Sequence, residues 1–293
     1  MPVPDSGRAA MPCTLEAPRA GPLPVGAQLR QLRRQARLSQ LDLALQAGIS
    51  QRHLSCVETG RAQPSPALLD ALLTTLDTPL PQRNRVFLAA GYAPRYAALP
   101  LADPGLAPVR AALMHLLKAN NPAPAIVIDS GWQVLAANQA TAALFQLLGL
   151  SQHAMEQGFN LLTALLEPGG FGDCLINAEE VRQVAWQRAS REAMGDPGLA
   201  ALLAGLPFPG ESPATPSPAE PLLLTRVRGP GGELRFLSTF TTFGMPQDIT
   251  VASLRIEHLI PADEPTWQAL TLACERPGAV SYTHLTLPTN REV

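Results

Sequence analysis

Four cysteines in 293 residues, Cys13, Cys56, Cys174 and Cys274, form no C-x-x-C pair and have no histidine pair nearby. That spacing argues against a zinc site or a disulfide scaffold and suits a reducing cytosol. The histidines, His53, His115, His153, His258 and His284, are equally scattered, so no metal site is expected. No stretch approaches the ~18 unbroken apolar residues of a membrane span. Residues 1–24 lack the apolar centre of a secretory signal. They are rich in Pro, Ala and Gly and read as a flexible lead-in. Also missing are G-x-S-x-G, a P-loop and G-x-G-x-x-G, and the run Gly229, Pro230, Gly231, Gly232 is too short and wrongly flanked to cradle a phosphate. No enzyme and no resident cofactor are expected, and no motif for haem or flavin stands out.

What is present divides in two. The length suits about two domains of ~100–200 residues each, and a hydrophobic content of 46% is ordinary for a globular chain. The net charge of −2 conceals an asymmetry. Residues 25–96 hold nine Arg against four acidic residues, whereas 97–293 hold eleven Lys and Arg against eighteen. The basic front half is therefore the candidate for a polyanionic partner.

The front half reads as short helices. Leu29, Leu32 and Ala36 fall at core-facing spacing, and Arg30, Arg33, Arg34 and Arg37 form a basic stripe on the same segment. By itself that stripe suits a solvated helix face. Ser39 is placed to cap a helix over 40–47, with Asp42 at the capping-box position and Gly48 as the stop. Ser50 caps the next helix, Ile49 and Leu54 are spaced as a hydrophobic staple, and Gly60 ends it. Leu54 and Val57 point inward, leaving Gln51, Arg52, Ser55, Cys56 and Thr59 outside. Ser65 and Pro66 restart the chain into a helix whose Leu68, Leu69, Leu72, Leu73 and Leu76 face the core.

Two helices on a tight Gly-containing turn, the second presenting polar residues at its N-terminal end, is a helix-turn-helix. The run LSQLDLALQAGISQRHLSCVETGRAQPSPALL resembles the Cro/repressor-type, or XRE-family, DNA-binding domain over about residues 25–77. The resemblance implies that Gln40 binds a phosphate and braces the recognition helix. It implies that Gln51 and Arg52 read bases, adenine and guanine being their best partners. It assigns Cys56 to a base-contact position, where a thiol reaches at most a thymine methyl. Ser55 either hydrogen-bonds to DNA or packs. Ser50 and Thr59 lie on the same DNA-facing side, and Arg61 is a phosphate contact. Arg33 and Glu58 match a family ion pair, giving Arg33 a structural share beside its place among the DNA-binding residues.

After Pro81, the segment QRNRVFLAAGYAPRY adds a helix ending at Gly91 and completes a first domain of 25–96. The remainder reads as α+β. Strands are expected at 125–129, 132–136, 222–228, 234–243 and 249–259, with a hairpin turn at 229–232. Asn138 heads a helix reaching Leu148, a second helix covers 177–194, and 207–221 is a Pro-rich loop. Strand, strand, helices and three antiparallel strands is the PAS order. The runs PAPAIVIDSGWQVLAANQATAALF, FNLLTALLEPGG and GGELRFLSTFTTFGMPQDITVASLRIEHLIPAD resemble the MmyB-like regulators. The expected architecture is an all-α helix-turn-helix domain followed by an α+β PAS-like domain, 104–272, with an antiparallel sheet.

That resemblance implies a cytoplasmic bacterial transcription regulator whose partners are double-stranded DNA, a small apolar ligand such as a fatty acid, and a second copy of the chain; no membrane association is expected. Ile126, Ile128, Leu135, Asn138, Phe145, Leu161 and Phe240 are the pocket candidates, although each apolar one equally suits plain core packing. Asn138 serves either a ligand head group or its helix. The competing reading is a second domain that only dimerises. The Thr-rich residues 280–293 resemble adapter read-through and are expected to be non-native.

Overall fold

The computed structural model describes residues 23–150, 159–210 and 222–275. The lead-in up to residue 22, Cys13, the 211–221 part of the Pro-rich stretch and residues 280–293 lie outside them. The chain divides into two units, Met1–Arg95 and Tyr96–Val293.

In the first unit, side-chain caps set where three of the five helices begin. The helices are α1 (Val25–Gln35), α2 (Gln40–Gln46), α3 (Gln51–Glu58), α4 (Pro66–Thr75) and α5 (Leu80–Ala89). Ser39, Ser50 and Ser65 sit in extended backbone, and each side chain accepts the amide of the residue three further on. At α2 the exchange is mutual, since Asp42 Oδ2 accepts the Ser39 amide. Gly48 and Gly60 follow α2 and α3 at φ of 69° and 75°, where a side chain would be strained. Leu29, Leu43, Leu54, Val57, Leu69 and Leu72 fill the core, and Ile49 packs against the same cluster. Ala36 is a correction: α1 stops at Gln35, so Ala36 leaves the apolar stripe and is exposed as the C-cap.

The second unit is a five-stranded antiparallel sheet with helices on both faces. Its strands are β1 (Ala125–Ile128), β2 (Val134–Ala137), β3 (Leu224–Gly229), β4 (Gly232–Thr242) and β5 (Arg255–Pro261), in the order β2-β1-β5-β4-β3. This is the PAS-like arrangement. The last strand in sequence lies in the centre, pairing with both β1 and β4. The β3–β4 hairpin closes at the Gly229–Gly232 pair.

The helices are α6 (Ala107–Ala119), α7 (Gln139–Leu147), α8 (Leu161–Leu166), α9 (Ala178–Ala193), α10 (Pro197–Gly205), α11 (Ile249–Ser253) and α12 (Glu264–Glu275). The expected strand over 249–259 is corrected. Asp248 Oδ1 accepts the amides of Thr250 and Val251, which turns Ile249–Ser253 into a helical turn and delays the strand to Arg255.

Alternation divides the sheet's side chains between two cores. Ile126, Ile128, Val227 and Phe236 join Leu144, Leu161, Phe171 and Leu203 on one face. Val127, Leu135 and Ile256 meet Leu113 and Leu117 of α6 on the other. Among the described residues no helix is long and apolar enough to cross a membrane.

Candidate functional site

Helix α3 presents a polar first turn on a rigid base. Leu54 and Val57 are fully buried, which leaves Gln51 and Arg52 exposed at the N-terminal turn. Ser55 and Cys56 are half-buried, and Arg61 is exposed just beyond the helix. Two of the expected DNA-facing hydroxyls have local partners. Ser50 Oγ accepts the His53 amide, and Thr59 Oγ1 donates to the carbonyls of Ser55 and Cys56.

The far end of α3 is held by a buried carboxylate. Arg33 Nε donates to Glu58 Oε1 at 2.7 Å and Nη2 donates to Oε2 at 2.9 Å, while Nη1 reaches the Leu38 carbonyl. Gln40 Nε2 donates to Glu58 Oε2 at 2.8 Å, and Arg30 Nε stands 3.5 Å away. Burial alone would push the Glu58 carboxyl up. The hydrogen bonds from Arg33 and Gln40, with the charges of Arg33 and Arg30, outweigh it and hold the group below its ordinary range. The same hydrogen bond raises Arg33 against the effect of its own burial. One carboxylate thus ties α1 and the start of α2 to α3. Arg33 is only 8% exposed and bonds through all three guanidinium nitrogens, so it belongs to this brace and not to the exposed surface.

In the second unit a cavity of about 80 Å³ lies on one face of the sheet. Ile126, Leu144, Leu161 and Leu165 form part of its wall, with an aromatic side of Phe145, Phe159 and Phe171. Phe145 stacks on Phe171 at 6.1 Å between ring centres and meets Phe159 at 5.7 Å. The side-chain polarity in the lining comes from Thr141, Thr225 and Glu257. Ser238 Oγ donates to Glu257 Oε1 at 3.0 Å, while Oε2 is buried without a hydrogen-bond partner. Burial pushes the Glu257 carboxyl up, against the pull of Arg188, the Ser238 hydrogen bond and Arg255.

Sequence reasoning missed Glu257. The available signal was its place two residues before Leu259, hence on the same strand face as a core-packed leucine.

Three of the seven pocket candidates, Ile126, Phe145 and Leu161, line the cavity. Ile128 is fully buried in the adjoining core but is not part of the lining, and Leu135 packs on the opposite sheet face. Phe240 is 44% exposed and lies 3.7 Å beneath the Arg188 guanidinium, outside the lining.

Asn138 is held in a closed network. Its Oδ1 accepts from the amides of Ala125 and Thr141 and from the Thr141 hydroxyl. Its Nδ2 donates to the carbonyls of Leu117 and Ala123. The amide therefore caps α7 and joins it to β1 and α6, with both ends engaged and no place in the cavity lining.

Beside the cavity, Glu192 of α9 accepts from Trp132 Nε1, Arg188 Nε and Arg255 Nη1. Arg188 and Arg255 both lie over the Trp132 ring. Burial, and then the charge of Arg255, lower the Arg188 pKa against Glu192 and Glu257. Among the described residues no group of three or more His, Cys, Asp or Glu is placed to hold a metal.

Two protein-family profiles match the chain. The MmyB-like transcription regulator ligand binding domain covers residues 109–273, and a helix-turn-helix domain covers residues 24–86. No curated protein matches. Among solved structures, an RNA-binding light-oxygen-voltage receptor is similar at 15% identity with a TM-score of 0.26. The match covers 85% of this chain and 62% of that one.

Proposed function

Because the chain belongs to the MmyB-like transcription regulators, we propose that α3 reads double-stranded DNA and that the sheet unit holds a small apolar ligand that biases DNA binding. The observation carrying the first part is the exposed pair Gln51 and Arg52 on the first turn of a helix whose other end is braced by buried Glu58. Arg52 suits bidentate contact with guanine and Gln51 with adenine. Gln40 and Arg61 are assigned to phosphates, and Ser50, Ser55, Cys56 and Thr59 to the flanking contact surface. Phosphate contacts set register, and base contacts set specificity.

Arg52→Ala is expected to cost ~1–3 kcal/mol on the preferred duplex and to relax choice at one base position. Arg61→Ala is expected to weaken binding to every sequence alike and to lower the salt slope by about one. Anisotropy titrations on selected and random duplexes at several salt concentrations separate the two. If both variants lose equally on both DNAs, the assignment of roles fails.

Regulation in the cytoplasm through a homodimer completes the reading. A single recognition helix touches few base pairs, and two half-sites about one helical turn apart supply the missing selectivity. A footprint of two half-sites with two protomers per duplex is expected, whereas one protomer on one half-site at saturation would contradict it.

The ligand reading rests on the apolar wall around Phe145, Phe159 and Leu161. Each buried methylene contributes ~0.8 kcal/mol, so an alkyl chain such as that of a fatty acid suits such a wall. At about 80 Å³ the cavity is well below the ~300–1,000 Å³ of pockets that enclose drug-sized ligands. It therefore takes a short chain or the end of a longer one. To act as a switch, the ligand must favour one state of the regulator over another, because equal affinity for both shifts nothing.

A further inference from the structure

We infer that the cavity receives an alkyl compound ending in a hydroxyl, an alcohol in preference to a carboxylate, with Glu257 holding its polar end. This rests on the proposal that the sheet unit is a ligand sensor, and it names the chemistry of the head group.

The argument begins with hydrogen-bonding capacity. Thr141 lines the cavity, but its hydroxyl already serves Ala125 and Asn138. Glu257 is different. It lies in the central strand, in register with Ile126 of β1 and Phe240 of β4, and only one of its carboxyl oxygens is engaged, by Ser238. The other, Oε2, is buried without a hydrogen-bond partner, where buried polar groups are ordinarily satisfied. An unsatisfied oxygen in an apolar enclosure is a standing cost that a bound polar group would relieve.

The head group follows from what a carboxyl can do. Ionised, it only accepts hydrogen bonds; protonated, it both donates and accepts. A ligand hydroxyl also donates and accepts, so it satisfies Glu257 in either state without bringing a charge out of water. A ligand carboxylate accepts only. Against ionised Glu257 it would place two like charges in an apolar cavity, so it enters only when Glu257 takes up a proton. An ammonium has the reverse restriction and adds the desolvation of a second ion. Arg188 and Arg255 act on Glu257 through their charge, but both are paired with the one carboxylate of Glu192, and neither lines the cavity. The alkyl chain then lies against Phe145, Phe159, Leu161 and Leu165.

The test uses the full-length protein, stripped of lipid, at mildly alkaline pH. 1-Hexanol and hexanoate, then 1-decanol and decanoate, are titrated by calorimetry and by thermal shift. Each alcohol is expected to bind about tenfold or more tightly than the carboxylate of equal chain length, the scale of one unsatisfied buried polar group. Glu257→Gln keeps the shape and supplies an amide donor, so the ratio should fall toward one. Its unliganded melting temperature, equal to or above that of the parent, confirms that it is folded. Should that variant fail to fold, Glu257→Asp withdraws the carboxyl by one methylene and should weaken alcohol binding. Carboxylates binding as well as or better than alcohols, or a preference that survives Glu257→Gln, overturns the head-group assignment and leaves the sensor reading standing. If no alkyl compound of either kind binds, the sensor reading falls, and this inference with it.

Discussion

Glu58→Ala is expected to destabilise the first unit by about 3–5 kcal/mol, because it leaves the Arg33 guanidinium buried without its anion. The Glu58 side chain has no exposed surface, and that of Arg33 is 10% exposed, so water cannot replace what is lost. Gln40 loses its partner at the same step. A loss of that size is a large part of the ~5–15 kcal/mol that holds a typical domain together. Replacing both ions, as in Arg33→Met with Glu58→Leu, should recover most of it, since the desolvation of two charges is removed along with their attraction. With Arg33 acting as a brace, the folded double variant also keeps its affinity for random DNA; a loss there would return Arg33 to the DNA-binding residues.

The pH dependence has a defined sign. Glu58 is held below its ordinary range in the folded state, so its contribution is fully present above the unfolded pKa and disappears as pH falls through the folded one. Asp42, lowered by its hydrogen bonds with Ser39, acts in the same direction. Hydrogen exchange of the α1–α3 amides in the full chain follows both effects without mixing in the second unit.

The helix-turn-helix was legible because its signals are local. A serine, an acidic residue three positions on and a terminal glycine define α2 with no reference to distant chain, whereas the pairing of Arg33 with Glu58, 25 residues apart, followed only from the family resemblance. Strands of the sheet were legible by alternation, except where Asp248 captured Ile249–Ser253, with its β-branched Ile249, Thr250 and Val251, as a helical turn. The cavity was not legible. Ile126 and Ile128 share a residue type, a strand and a face, yet only Ile126 meets the gap, because the gap depends on how α7, α8 and Phe171 pack above the sheet. Glu257 was hidden for another reason. Alternating with Ile256 and His258, it looks like the solvated side of an edge strand, and only the pairing of β5 with β1, over a hundred residues earlier, makes that strand central.

Asn138→Leu is the second change expected to be severe, and it separates the two roles open to this residue. Leucine matches the volume approximately but serves none of the five hydrogen bonds. The carbonyls of Leu117 and Ala123 and the amide of Thr141 lose this partner, and the Ala125 amide keeps only the Thr141 hydroxyl. Each buried group left unsatisfied costs ~1–3 kcal/mol, and the loss of the α7 cap adds ~1 kcal/mol. Part of this returns as apolar burial and relaxation, so a net loss of several kcal/mol is expected. Asn138→Asp should do no better. It keeps the acceptor side, but it turns an anionic oxygen toward two carbonyls that had received donors. Thermal melts without ligand should therefore show both variants strongly destabilised. Alkyl-compound affinity, measured at a temperature where each variant is folded, should stay close to that of the parent, because Asn138 does not line the cavity. A head-group role demands the opposite pattern: near-parental stability without ligand and a large loss of affinity. That pattern would place Asn138 back in the site and open the network to the ligand.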